Sequence, residues 1–204
     1  MARVTVYDQN RELREAGEIS AYLEPFGIWY ENWDVDGRVG EDATDEEILD
    51  AYAPEIDRLK VAGGYVTADI INVRPDTPGL DAMLAKFDKE HTHDEDEVRF
   101  TVKGGGVFHI RAKANGADKE SVFAVQVEPG DLINVPRGTR HWFNLCDDRQ
   151  IRCIRLFQDA SGWAPHYSHD GVHSDYQPVC WGPSYLGHAE AMREDLAKQS
   201  QGNG

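Results

Sequence analysis

The densest chemistry in the chain lies in His91-Thr92-His93-Asp94-Glu95-Asp96-Glu97-Val98-Arg99-Phe100. In a β-strand alternate side chains share a face, so His91 and His93 point the same way and can reach one cation. Glu97 and Arg99 stand in the same two-residue relationship. Neutral imidazoles with a carboxylate suit Fe, Ni, Mn or Zn without selecting among them. Taken alone, a His-x-His pair is more often ordinary surface, and an Asp-Glu-Asp-Glu run a solvated turn. A second segment alters the balance. Gly130-Asp131-Leu132-Ile133-Asn134-Val135-Pro136-Arg137-Gly138-Thr139-Arg140-His141 reads as a strand, a Pro-x-Gly turn and a histidine opening the next strand. Proline sets φ and glycine accepts positive φ, so this turn holds His141 in a defined place. His91, His93, Glu97 and His141 are the expected ligands of one divalent ion.

The elements that must position these residues are short strands. Val98–Lys103, Val107–Ala112, Ser121–Val127, Asp131–Val135, Arg140–Leu145 and Ile151–Phe157 are divided by turns such as Gly104-Gly105-Gly106 and Glu128-Pro129-Gly130. Their spacing predicts a sandwich or barrel. Upstream, Arg3–Tyr7 and Tyr65–Val73 read as strands, and the aromatic-rich Glu24–Val35 should pack on the core. Thr44-Asp45-Glu46-Glu47 is a capping box, and Pro54 should kink or split the helix that it starts. Thr77-Pro78 predicts a helix start, with Leu80, Met83, Leu84 and Phe87 as an apolar stripe that ends just before His91. Gly162–Pro183 reads as loop, Tyr185–Lys198 as a helix, and Gln199–Gly204 as a frayed tail. One domain over 1–204 is expected, with its barrel core at about 64–160.

The formal charge of −16, from 21 basic and 37 acidic residues, repels nucleic acid and anionic membranes and favours a soluble monomer. It also means that a site for an anion must be made locally positive. No run approaches the ~18 apolar residues of a membrane helix, and the N-terminus carries no apolar export signal. A cytoplasmic location is therefore expected. Cys146, Cys153 and Cys180 should then be reduced and buried. His166, His169 and His173 form a looser cluster, read as surface. Glu95 and Asp96 are read as a hydrated loop flanking the ligands.

The two segments resemble the paired motifs of the cupin superfamily, Gly-x5-His-x-His-x3,4-Glu-x6-Gly and Gly-x5-Pro-x-Gly-x2-His-x3-Asn. The match runs through His91, His93, Glu97 and Gly104, then Gly130, Pro136, Gly138 and His141. The first motif's leading glycine is absent and Asn144 falls one residue early; neither departure touches a ligand. Gly64-Tyr65, Arg74-Pro75-Asp76-Thr77-Pro78, Lys86-Phe87, Glu90-His91, Glu95–Phe100 and Pro136–Phe143 are similar to the acireductone dioxygenase family, over roughly residues 44–163. That resemblance implies a mainly β, cupin-type small β-barrel (jelly roll) with flanking α-helices. It further implies one Fe(2+) or Ni(2+) per chain on the three histidines and the glutamate, with two positions left open. The implied substrates are O2 and the acireductone 1,2-dihydroxy-3-keto-5-methylthiopent-1-ene of methionine salvage. The iron form would give formate and 4-methylthio-2-oxobutanoate, and the nickel form formate, carbon monoxide and 3-methylthiopropanoate. Arg99, aimed inward with Glu97, is the expected catalytic cation. Phe87 and Trp163, at family pocket positions, and Phe143, two residues past His141, are expected to contact substrate, with Arg155 as a second inward cation. Another metal-dependent cupin enzyme and a non-catalytic ligand-binding cupin remain as alternatives at this stage.

Overall fold

The structure, a computed structural model, describes residues 1–159 and 163–181. In chain order the elements are β1 (Arg3–Val6), β2 (Arg11–Leu13), α1 (Ala16–Leu23), β3 (Trp29–Asn32), α2 (Asp45–Ala51), α3 (Ala53–Gly63), β4 (Thr67–Val73) and α4 (Leu80–Leu84). They continue as β5 (His91–Thr92), β6 (Glu97–Gly104), β7 (Gly106–Ala112), β8 (Ser121–Val127), β9 (Asp131–Val135), β10 (Arg140–Leu145), β11 (Ile151–Phe157) and β12 (His166–Tyr167). Two antiparallel sheets form the cupin-type barrel. One has seven strands in the order β12-β5-β10-β7-β8-β1-β2, the other five in the order β3-β9-β6-β11-β4. The strands expected at Ser121–Val127, Asp131–Val135, Arg140–Leu145 and Ile151–Phe157 have those bounds.

Alternation along the strands sorts the side chains. On β6, Val98 and Phe100 face outward and pack with Leu132, Ile154 and Leu156 against Ile48, Tyr52, Ile56 and Leu59 of α2 and α3. Glu97, Arg99 and Thr101 therefore face the barrel interior. Between the sheets lies the main core, including Phe108, Ile110, Phe123, Val125, Ile133, Val135 and Cys153. The α2–α3 pair closes the five-stranded sheet, and its start is set locally. Thr44 and Glu47 make the reciprocal capping box, and Pro54 sits in the first turn of α3, so the chain breaks into two helices as expected.

Three expectations are corrected. The helix before His91 does not start at Thr77-Pro78. Thr77 Oγ1 instead accepts from the Arg74 amide, closing a turn, and α4 begins at Leu80 after Gly79 and ends at Leu84. The stretch read as loop carries β12 and a 3-10 turn at Val172–Asp175. Finally, Cys146 and Cys180 are joined in a disulfide, with Cα atoms 5.7 Å apart at a sequence separation of 34. Residues that far apart carry no local sign of pairing, and only the fold brings them within bridging distance. Cys153 is free and buried, and burial pushes its thiol up to about 11. The helix expected at Tyr185–Lys198 and the tail beyond it lie outside the described residues.

A bridge closing a loop of this length restricts the unfolded chain and is worth about 2–4 kcal/mol. Reduction, or Cys146→Ser, is expected to lower the urea midpoint accordingly. A midpoint unchanged by reductant would show that the bridge contributes nothing.

Candidate metal centre and adjoining cavity

Backbone pairing brings the two sequence segments together. His91 of β5 stands directly opposite His141 of β10, and Glu97 of β6 pairs with Val135 at the end of β9. The Pro-x-Gly turn joins β9 to β10. Gly138 takes φ +74° there, where a side chain would be strained, and its amide donates to His93 O at 2.9 Å. The Arg137 amide donates to Asp96 Oδ1 at 3.0 Å. The turn that holds His141 is thereby fastened to the loop that holds His93.

All four expected ligands are buried, and their donor atoms lie within 4.8 Å of one another. Each imidazole directs Nδ1 at a backbone carbonyl: His91 to Lys89 at 2.6 Å, His93 to Ala164 at 3.0 Å and His141 to Thr139 at 2.8 Å. A carbonyl only accepts, so each Nδ1 carries the proton and each Nε2 presents its lone pair inward. His91 Nε2 has no hydrogen-bond partner. His93 Nε2 lies 3.2 Å from Glu97 Oε2 without hydrogen-bond geometry, and His141 Nε2 lies 2.9 Å from the same oxygen. Lone pairs crowded in this way call for a cation among them. The 3.2 and 2.9 Å from Glu97 Oε2 to the His93 and His141 nitrogens suit donors that each lie roughly 2.0–2.2 Å from a shared ion. The residues fit a single divalent metal.

Electrostatics point the same way. Burial alone would raise the Glu97 pKa, but the Arg99 charge beside it holds it well below the usual carboxylate range. Arg99 Nε donates to Glu97 Oε1 at 2.5 Å. Burial, reinforced by His141, pushes His91 down to about 4, so its imidazole is neutral and available as a ligand.

Beside the ligands opens a cavity of about 350 Å³, lined by Arg99, Arg155, Phe87, Trp163, Thr67, Ala68, Asp69, Ile71 and Phe157. The Arg99 guanidinium lies 5.1 Å from the Trp163 ring centre, and that of Arg155 5.6 Å from it. Phe87 sets its ring 5.8 Å from that of His91. Phe143 is placed differently. It packs on Phe108 in the core and touches the site through Arg99, 5.6 Å from its ring, rather than lining this cavity. Arg155 is not a free cation, because Asp69 accepts from its Nε and Nη2 at 2.8 and 2.6 Å.

Asp69 was missed by sequence reasoning; only the pairing of β4 with β11, which sets it opposite Arg155, reveals it. Ala164, acting through a carbonyl, and Tyr167, whose ring lies 6.2 Å from that of His91, left no sequence signal. The acidic pair is more than a hydrated loop. Asp96 accepts from the Arg137 amide and from Tyr65, and Glu95 from the Gln158 amide. His166, His169 and His173 make no metal-binding group among the described residues, and His166 bonds Asp94.

Barrel and donors together define a cupin with a mononuclear metal site. Residues 5–165 match the ARD/ARD' family, and the chain belongs to this family, the acireductone dioxygenases, as an enzyme that incorporates O2. It is 38% identical over 172 residues to the acireductone dioxygenase of Picosynechococcus sp., covering 84% of this chain and 95% of that one. The Bacillus thuringiensis acireductone dioxygenase is 40% identical over 175 residues, covering 82% of this chain and 100% of its own. Among solved structures, the acireductone dioxygenase from Bacillus anthracis, with a cadmium ion in its active centre, matches with a TM-score of 0.73 at 36% identity. The match covers 82% of this chain and 98% of that one.

Divalent metal at about a hundredfold its Kd is expected to stabilise the protein by about 2.7 kcal/mol, read as a rise in Tm that EDTA reverses. His141→Ala should abolish that rise. A Tm indifferent to metal would remove the site.

Proposed function

We propose that the protein cleaves 1,2-dihydroxy-3-keto-5-methylthiopent-1-ene with O2 as a step of methionine salvage. Formate and 4-methylthio-2-oxobutanoate would be formed with Fe(2+), and formate, carbon monoxide and 3-methylthiopropanoate with Ni(2+). The observation that carries this reading is the convergence of three inward Nε2 atoms and Glu97 beside a half-apolar cavity holding two arginines. A divalent ion held there by His91, His93, Glu97 and His141 would supply Lewis-acid chemistry for an anionic enediolate.

The remaining roles fall to the protein's own groups. Arg99, at once the partner of Glu97 and part of the cavity wall, donates to the substrate's anionic oxygens and stabilises charge that develops on them. Arg155 offers a second guanidinium on the same wall. Phe87 and Trp163 give apolar surface to the methylthio end and exclude water from the reacting carbons, while Phe143 supports Arg99 from behind.

The test is O2 uptake and product analysis with the acireductone, run separately on iron- and nickel-loaded protein. Turnover with either metal is expected, with carbon monoxide from the nickel form alone; no uptake with either would end the proposal. Arg155→Gln is expected to lower kcat/KM by about tenfold or more through loss of a charge-assisted hydrogen bond, with metal content unchanged.

A further inference from the structure

The barrel alone does not complete the metal centre. Beyond β11 the chain returns as residues 163–181 along the edge of the site, forming a strap. Within it, Ala164 supplies the carbonyl that fixes the tautomer of His93. β12 pairs with β5, setting Tyr167 opposite His91 and His166 opposite Thr92, and the Tyr167 hydroxyl donates to Lys86 O at 3.0 Å. The strap thus reaches two of the four ligands without supplying one.

What holds this stretch is Glu90, the residue before His91. Its side chain is fully buried, a costly place for a carboxylate without partners. Among the described residues of the barrel its side-chain partner is the Arg111 guanidinium, at 3.4 and 3.5 Å, and that group is shared with Glu120 and Asp170. The strap provides the rest. The Ser168 hydroxyl donates to Glu90 Oε2, the Ser168 amide donates to Glu90 O at 3.0 Å, and Asp170 of the strap takes Arg111 Nη1 at 2.5 Å. Docking the strap satisfies Glu90 and, four residues earlier, delivers Ala164 O to His93.

We propose that Glu90 is a positioning residue of the metal centre: by pinning the strap through Ser168 it orients His93 and braces His91, so that a carboxylate remote from the ion sets the affinity for it. The inference rests on the metal site and not on the substrate assigned above, so metal affinity reads it out even if that assignment fails.

The experiment measures Co(2+) affinity by competition with a chromophoric chelator, and amide hydrogen exchange over residues 163–168, in the full chain. Glu90→Ala is expected to weaken Co(2+) binding by about 10–100-fold, the range for partners that orient metal ligands. It should also speed exchange at 163–168 while β7 and β8 stay protected. Glu90→Gln keeps an oxygen for the Ser168 hydroxyl and should recover most of the affinity. Ser168→Ala deletes only that hydroxyl and should weaken binding by several-fold, which keeps the test open if Glu90→Ala does not fold. Ile48→Val, a destabilising change under the far face of the other sheet, should leave Co(2+) affinity unaltered. Ser168→Ala binding Co(2+) within twofold of wild type, or strap exchange unchanged in Glu90→Ala, would overturn the proposal, as would an equal loss in Ile48→Val.

Discussion

A carboxylate is buried at the centre of this protein, and the surrounding structure is arranged to keep it charged. Glu97 is only 3% exposed, and an isolated ion there would be driven to its neutral form. Arg99 on the same strand face prevents this, and the imidazoles of His93 and His141 close in on the other oxygen. The same group therefore sets two requirements. The strand must place Glu97 and Arg99 inward together, which makes Val98 and Phe100 face outward, and the outer face must then be covered. The α2–α3 pair and its capping box belong to that second requirement. A helical layer far from the chemistry exists because alternation on β6 leaves an apolar face that water must not reach.

Geometry at the site is held by backbone more than by side chains. Each ligand imidazole is set by a carbonyl, and the turn that carries His141 is bonded to His93 O and to the Asp96 side chain. These carbonyls and amides sit in short turns and loops that abut β5, β10 and β12, so the three Nε2 atoms are directed before any ion arrives. Such preorganisation lets binding energy go into coordination and not into ordering flexible side chains. Ala164 is the exception among the three carbonyls, since it comes from the strap instead of from a neighbour in sequence. His93 is thus the ligand oriented by a carbonyl distant in sequence.

The four ligands could be read from the chain because two short motifs carry them. His-x-His and Glu-x-Arg obey strand alternation, and Pro-x-Gly announces the turn. Barrel strands with Gly- and Pro-marked ends were legible for the same reason. Elements whose bounds depend on tertiary contact were not. Thr77 offered a good helix cap and was used in a turn with Arg74, since the segment had to lead into β5 without a long helix. Asp69 could not be assigned from its surroundings, because its role exists only once β4 lies against β11. The Cys146–Cys180 pair contradicted a reading based on the lack of an export signal: such a reading says nothing about which two residues the fold brings together.

The charge argument also changes on contact with the structure. An acidic protein needs a locally positive site to take an anion, and Arg99 was the expected source. Arg99 is spent on Glu97, and Arg155 on Asp69, so these four groups sum to no net charge. A divalent ion held by the four ligands would add positive charge to this ensemble. Any anionic ligand would then meet a positive cleft within a strongly negative surface. Arg99 and Arg155 are meanwhile held in place as directed donors by their carboxylate partners.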